Sequence, residues 1–122
     1  MPAWSYALAI AVRNDHGVAC LAVRGEMDYD NVDELRPTLL FCCRTAHRGV
    51  TVDLRHVPFV DAGSIGMFAD AYRVAWRRGI PLRLANPGHT VTRALVIAGL
   101  GRLMSHAEGA PTPPPAPRPA RR

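Results

Sequence analysis

The chain is 122 residues long and 48% hydrophobic, so it can bury one modest core and is predicted to form a single domain. Its formal charge of +5 comes from fifteen arginines and ten acidic residues. Three of those arginines lie in the last five positions, so the rest of the chain carries a charge of about +2. This charge is too small for a basic nucleic-acid groove. No apolar run approaches the roughly 18 residues of a membrane span, and no charged segment precedes the first apolar stretch, which predicts a cytoplasmic protein without membrane contact.

The first predicted unit is a hairpin. Residues 6–13 and 18–23 are short, mainly apolar runs on either side of a turn-rich segment, and each is predicted to form a strand. The four residues between them, Asn-Asp-His-Gly at 14–17, are typical of a tight turn. Two antiparallel strands are therefore expected at the start of the domain.

An amphipathic helix is predicted to follow. Asp30 or Asn31 can accept hydrogen bonds from its first turn, and apolar residues then recur at helical spacing until Gly49 ends the pattern. Pro37 lies inside this pattern and has no backbone N–H to donate. It predicts either a kink or a helix that begins late.

The segment 51–66, TVDLRHVPFVDAGSIG, joins a predicted strand to a predicted helix through a tight turn. The strand is indicated by apolar alternation over 50–55, and Asp61 or Ser64 can cap the helix, which closes at Gly79. The inward helical face is predicted to carry Ile65, Phe68, Ala69, Tyr72 and Trp76 as packing groups. A turn in this position could present a switch to a protein partner.

The remaining elements complete an α/β pattern. Residues 81–85 read as a strand and 90–98 as a third helix, so the order predicts a mixed β-sheet of four to five strands with three to four helices mainly on one side. This domain is expected to span residues 1–108. Six of the eleven prolines then fall within residues 109–122, which predicts a disordered, polyproline-like tail rich in Pro and Arg.

Metal and cofactor chemistry have little support in the sequence. Three cysteines are an odd number, which is typical of reduced thiols in a cytoplasmic protein. Cys43 and His47 are one helical turn apart, but no second ligand pair with zinc-like spacing accompanies them. Neither a metal site nor a cofactor is predicted, and the cysteines are interpreted as small buried hydrophobic residues.

A serine hydrolase is the sharpest alternative. Residues 62–66, Ala-Gly-Ser-Ile-Gly, differ by one residue from the Gly-x-Ser-x-Gly nucleophile elbow and lie between a strand and a helix. The acids that follow are Asp70, on the helix that begins with Ser64, and Glu108, next to the tail. Neither is placed to orient a histidine as a general base, so no enzymatic activity is predicted.

Together the motifs resemble those of the STAS domain, the fold shared by bacterial anti-sigma factor antagonists and the cytoplasmic parts of sulfate transporters. The resemblance covers residues 18–103 and implies the STAS fold. It rests on four segments in chain order: GEMD at 25–28 with VDEL at 32–35; VDL at 52–54 with FVD at 59–61 and IG at 65–66; RGIPLRL at 78–84 with NP at 86–87; and the pattern over 91–100 that ends in AGL.

The turn after Asp61 departs from the pattern of the switching antagonists. In that family the phosphorylated hydroxyl lies two residues after the aspartate, a position that Gly63 occupies here. The only hydroxyl in the turn is Ser64, one residue later, where rotation by about 100° around the helix axis changes what can reach it. Ser64 is therefore the candidate phosphorylation site by residue type, although a capping or structural role is the preferred interpretation.

The resemblance implies a protein-binding function. Asp28 is expected to lie beside the turn and to form an acidic docking edge with Asp61, next to Ala62, Gly63, Ser64 and Ile65. The implied partner is an anti-sigma factor serine kinase, whose capture frees a sigma factor, and this copy is expected to lack the phosphorylation off-switch. A scaffold or small-ligand-sensing STAS module is the alternative, and a monomer or weak homodimer is expected.

Overall fold

The computed structural model describes residues 8–105, which form one five-stranded sheet and three α-helices. This architecture confirms the predicted fold class. In chain order the elements are β1 (Ala9–Asp15), β2 (Val18–Arg24), α1 (Val32–Thr45), β3 (Gly49–His56), α2 (Ala62–Arg77), β4 (Leu82–Ala85), α3 (His89–Ile97), a 3₁₀ turn (Gly101–Leu103) and β5 (Met104–Ser105).

The five strands lie side by side in chain order. β1 is antiparallel to β2, and every later neighbour pair is parallel. Because parallel crossovers are almost always right-handed and the order advances by one strand each time, the three helices lie on the same face of the sheet. Leu21, Val52 and Leu84 stand level with one another on three adjacent strands and are fully buried. The hydrophobic core is therefore the layer between the sheet and the helices.

The predicted hairpin is present with a tighter turn. β1 and β2 pair as far as Asp15 and Val18, so only two residues connect them. These residues, His16 and Gly17, have positive φ angles of 52° and 89°, which match the twist of paired strands. The four-residue turn predicted from composition was too long, since Asn14 and Asp15 continue the strand. The predicted start of this strand, before Leu8, lies outside the described residues.

Pro37 lies inside α1 without delaying it. The helix begins at Val32, five residues before the proline, so of the two predicted alternatives the late start is wrong. The proline deprives the carbonyl of Asp33 of its usual donor, but Asp33 lies in the exposed first turn, where water can replace that hydrogen bond.

The inward face of α2 was predicted only in part, because Ile65 and Ala69 are half-buried. Phe68 is fully buried, whereas Trp76 is 69% exposed. At that turn the fully buried residue is Ala75, and a step of one residue rotates a side chain by about 100° around the helix axis, so Trp76 lies off the inward face of α2. The prediction that Trp76 packs in the core is therefore wrong, and Tyr72 is only half-buried.

The end of the domain could not be read from periodicity. β5 has two residues, too few to show alternation, and it is defined by its pairing with β4. The predicted boundary at residue 108 and the predicted tail over 109–122 lie outside the described residues and remain predictions. Among residues 8–105, no helix has the length and apolar character needed to cross a bilayer.

Candidate functional site

The two loops that the sequence singled out meet beyond the ends of β2 and β3. Met27 and Val60 form an isolated parallel bridge, which extends the pairing of these strands into the loops that follow them. The amide of Met27 donates to the carbonyl of Phe59 at 2.9 Å, and the amide of Asp61 donates to the carbonyl of Met27 at 3.2 Å. The β2–α1 loop and the start of α2 therefore form one continuous surface.

The Asp61 carboxylate holds this surface together. Its Oδ1 accepts hydrogen bonds from the amide of Ser64 at 2.9 Å and from the Ser64 hydroxyl at 3.0 Å, so Asp61 caps α2. Its Oδ2 accepts from the amide of Tyr29 at 2.7 Å, across 32 positions of sequence. Partial burial acts to raise the pKa of Asp61, but the hydrogen bonds from Ser64 and Tyr29 outweigh it and lower the pKa below its ordinary value of 3.8.

The first turn of α2 separates a buried hydroxyl from an exposed glycine. Ser64 is fully buried, and its hydroxyl donates to Asp61. Ala62 and Gly63 are exposed. A Cβ added at Gly63 would come no closer than 3.5 Å to Asp61 Oδ1, which is an ordinary van der Waals contact. Gly63, where the resemblance implies a hydroxyl in switching antagonists, is therefore open to solvent and has room for a Cβ.

The β2–α1 loop is shaped by its own polar side chains. The Oδ1 of Asp28 accepts from the amides of Asp30 and Asn31 at 2.9 and 3.2 Å. Asn31, predicted as a possible cap, makes no capping bond; its amide side chain donates to the carbonyl of Glu26 at 2.6 Å and accepts from the amide of Asp28 at 3.0 Å. The Asn31 side chain is buried, which the local sequence pattern could not predict.

Sequence reasoning named Ala62 and Ile65 for the site but missed the apolar residues that α3 adds to it. A groove of about 300 Å³ lies beside the first turn of α2 and is lined by Ala62, Ile65 and residues of α3. Ile97, in the last turn of α3, lines this groove and is 82% exposed. Tyr29 is 81% exposed on the neighbouring loop. We name the exposed first turn of α2, the loop at 28–30 and this groove the switch face.

Within residues 8–105, neither the Cys43–His47 metal pair nor the Ser64 nucleophile considered from the sequence is part of an assembled site. In residues 8–105, no three His, Cys, Asp or Glu side chains converge as metal ligands. Cys43 is buried while His47 is exposed, and burial, with a further contribution from Cys42, raises the pKa of Cys43 to about 11. A thiol of that pKa stays protonated at neutral pH and is a poor metal ligand. The Ser64 hydroxyl donates to a carboxylate, an arrangement unlike that of a nucleophile activated by histidine.

Comparison with known proteins gives one consistent family. Residues 9–112 match the family model of the STAS domain. No curated protein matches at the level of sequence.

Solved structures share the fold at low sequence identity. The anti-sigma factor antagonist SpoIIAA of Bacillus, in its unphosphorylated form, superposes with a TM-score of 0.73 and 20% identity, over 83% of this chain and 90% of its own. An anti-sigma factor antagonist from Mycobacterium paratuberculosis gives a TM-score of 0.72 and 18% identity, over 83% of this chain and 86% of its own. The murine anion transporter Slc26a9 matches with a TM-score of 0.61 and 18% identity, over 71% of this chain but only 14% of the transporter.

Proposed function

This chain belongs to the STAS domain family, and from that premise we propose that it is an anti-sigma factor antagonist that binds an anti-sigma factor serine kinase through the switch face. The bound kinase releases the sigma factor that it would otherwise hold. The protein acts by occupying its partner and catalyses no reaction of its own.

One observation carries this proposal: the exposed first turn of α2 is held to the β2–α1 loop by the Asp61 carboxylate, in addition to the backbone hydrogen bonds at Met27. The Oδ1 of Asp61 caps the helix and its Oδ2 accepts from Tyr29, so both loops keep a fixed relative position without a bound partner. A preorganised surface loses less conformational entropy when it binds. The small residues Ala62 and Gly63 also leave the helix N-terminus open to close approach.

The contacts of the switch face suggest what the partner must offer. The groove beside Ile65 fits an apolar side chain, and exposed Ile97 fits a partner pocket. Asp28 and Asp61 add negative charge close by, which favours basic residues around the partner's apolar contact. An apolar centre with a charged rim is typical of specific protein interfaces.

We propose that binding is not switched off by phosphorylation of this chain. Gly63 has no hydroxyl, and the Ser64 hydroxyl is buried against Asp61. A phosphate on Ser64 would bring close to two negative charges next to a carboxylate that is itself ionised, and it would remove the serine from its buried position. The antagonist would then always be competent to bind.

The decisive experiment measures binding and sigma release together. The full chain is immobilised, its captured anti-sigma factor is identified and purified, and the affinity is measured by titration. The antagonist is then added to the purified complex of that kinase with its sigma factor, and free sigma factor is followed by size-exclusion chromatography. Release in proportion to added antagonist supports the proposal. Capture of other STAS chains without any ATP-binding kinase would instead support the scaffold alternative.

A further inference from the structure

A second groove lies at the opposite end of α2 from the switch face. It has a volume of about 580 Å³ and runs between the last turns of α2 and the β4–β5 edge of the sheet. Its lining includes Tyr72 and Trp76 of α2, together with Arg102, Met104 and Ser105. The proposed docking of the kinase uses none of these residues, so the groove is left without a role.

Of the two aromatic residues in this groove, Trp76 is exposed and Tyr72 is half-buried. Trp76 is 69% exposed, and Tyr72 lies one helical turn before it on the same face of α2. The guanidinium of Arg102 stands 5.2 Å from the centre of the Tyr72 ring, and its Nη2 lies 3.5 Å from the tyrosine hydroxyl. Adjacent exposed aromatic rings are the surfaces on which polyproline segments are recognised, because such segments are already extended and lose little entropy on binding.

The chain carries a segment of matching chemistry close to this groove. Residues 110–117, Ala-Pro-Thr-Pro-Pro-Pro-Ala-Pro, are rich in proline and uncharged. Four residues, 106–109, connect this segment to Ser105, which lines the groove. In an extended polyproline conformation those four residues span about 12 Å. The arginines of the tail follow the proline segment, so they can remain in solvent away from Arg102.

We propose that residues 110–117 dock in the groove formed by Tyr72, Trp76 and Arg102 of the same chain. The short connection supplies an effective concentration on the order of 1 mM. A site with a dissociation constant of similar size is then about half occupied within one molecule, and a second copy of the chain at micromolar concentration cannot compete.

Trp76 reports directly on this contact. In the full chain with Trp4→Phe, Trp76 is the only tryptophan, and its quenching by acrylamide measures how far the ring is covered. The test variant changes the six prolines at 111, 113, 114, 115, 117 and 119 to alanine, which keeps the length and charge of the tail. We expect this variant to raise the quenching constant of Trp76 by about twofold, because a half-occupied groove becomes empty. A free peptide of residues 109–122 at millimolar concentration should then lower quenching in the alanine variant.

Matched measurements separate the possible occupants. The indole N–H signal of Trp76 should shift between the two forms in NMR spectra, and the shift should not change on tenfold dilution. Equal quenching constants in the native and alanine tails would overturn the proposal. A difference that disappears on dilution would also overturn it, since the occupant would be the tail of a second copy. Binding of a kinase at the switch face is measured separately, so neither result depends on the other.

Discussion

The N-terminal end of α2 is held in place by hydrogen bonds, whereas its C-terminal end presents aromatic rings to an open groove. At the first end, Asp61 accepts from two separate segments and leaves small residues exposed. At the second, Tyr72 and Trp76 offer large apolar surfaces with one polar contact from Arg102. The comparison teaches that one helix can carry two kinds of surface. One is fixed by hydrogen bonds, and the other offers a large apolar area.

The largest effect is expected at Gly63. Incubation of the native chain with its kinase and ATP should add no phosphate, and neither should incubation of Ser64→Ala. Gly63→Ser should gain one phosphate, because the position is exposed and an added Cβ meets nothing closer than 3.5 Å. Intact mass spectrometry measures the change. A full equivalent of phosphate on the native chain that disappears in Ser64→Ala would make Ser64 the switch, stabilised by the N-terminus of α2.

The next effect concerns the apolar part of the switch face. Ile97→Asp should weaken kinase binding by about 30-fold, or ~2 kcal/mol, if Ile97 is a central contact, since it places a charge in an apolar interface. Phe41→Asp is the matched control, because Phe41 is an exposed apolar residue of α1 that does not line the groove. Titration of the purified kinase with each variant provides the affinities. Equal loss in both variants would remove the groove from the interface.

A stability effect is expected from the carboxylate that joins the two loops. Asp61→Ala removes the acceptor for Ser64 and Tyr29 and leaves the buried Ser64 hydroxyl without its partner, which should destabilise the domain by ~2–3 kcal/mol. Urea unfolding measures the change, with exposed Asp30→Ala as the control. Charge reversal at Asp28 or Asp61 is a poor test of docking for the same reason. Both carboxylates accept hydrogen bonds that shape their loops, so reversing either charge would also change the loop structure.

A pH effect follows from the lowered pKa of Asp61. Because the pKa is lower in the folded state, the stabilisation is fully present above the unfolded value of about 4 and is lost as the pH falls through the folded value. The native chain should therefore lose its stability advantage over Asp61→Asn as the pH falls from 5 to 3. Urea unfolding of both proteins over this range tests it. A constant difference in unfolding free energy would contradict the lowered pKa.

The smallest effect is expected on the unfolding free energy when the tail prolines are changed, and it tests the groove at the C-terminal end of α2. Composition alone predicts that the tail does not affect stability, because it has little apolar area to bury. Docking at about half occupancy predicts instead that changing the six tail prolines to alanine lowers the unfolding free energy by less than ~1 kcal/mol. Urea unfolding of the full-length native and alanine forms distinguishes these outcomes, and Pro37 stays unchanged in both.

Much of the fold could be predicted because its signals are local. Short apolar runs bounded by turn residues predicted four strands, helical spacing predicted three helices, and Asp61 was one of the two residues predicted to cap α2. Gly79 ends α2 with a positive φ of 72°, as predicted for a glycine after the last turn. The absence of a hydroxyl at Gly63 is a matter of residue identity alone. These properties depend on residues within about one turn of each other.

The site itself was decided by tertiary structure. The hydrogen bond from Tyr29 to Asp61 joins residues 32 positions apart, and Ile97 reaches the switch face only because α3 packs beside α2. The spacing of apolar residues placed Trp76 inside, but Ala75 fills the inward position at that turn. A sequence pattern states which face of an element is apolar. Which neighbour covers that face, and which polar atoms meet across loops, depends on packing between distant segments, and that arrangement exists only in the folded chain.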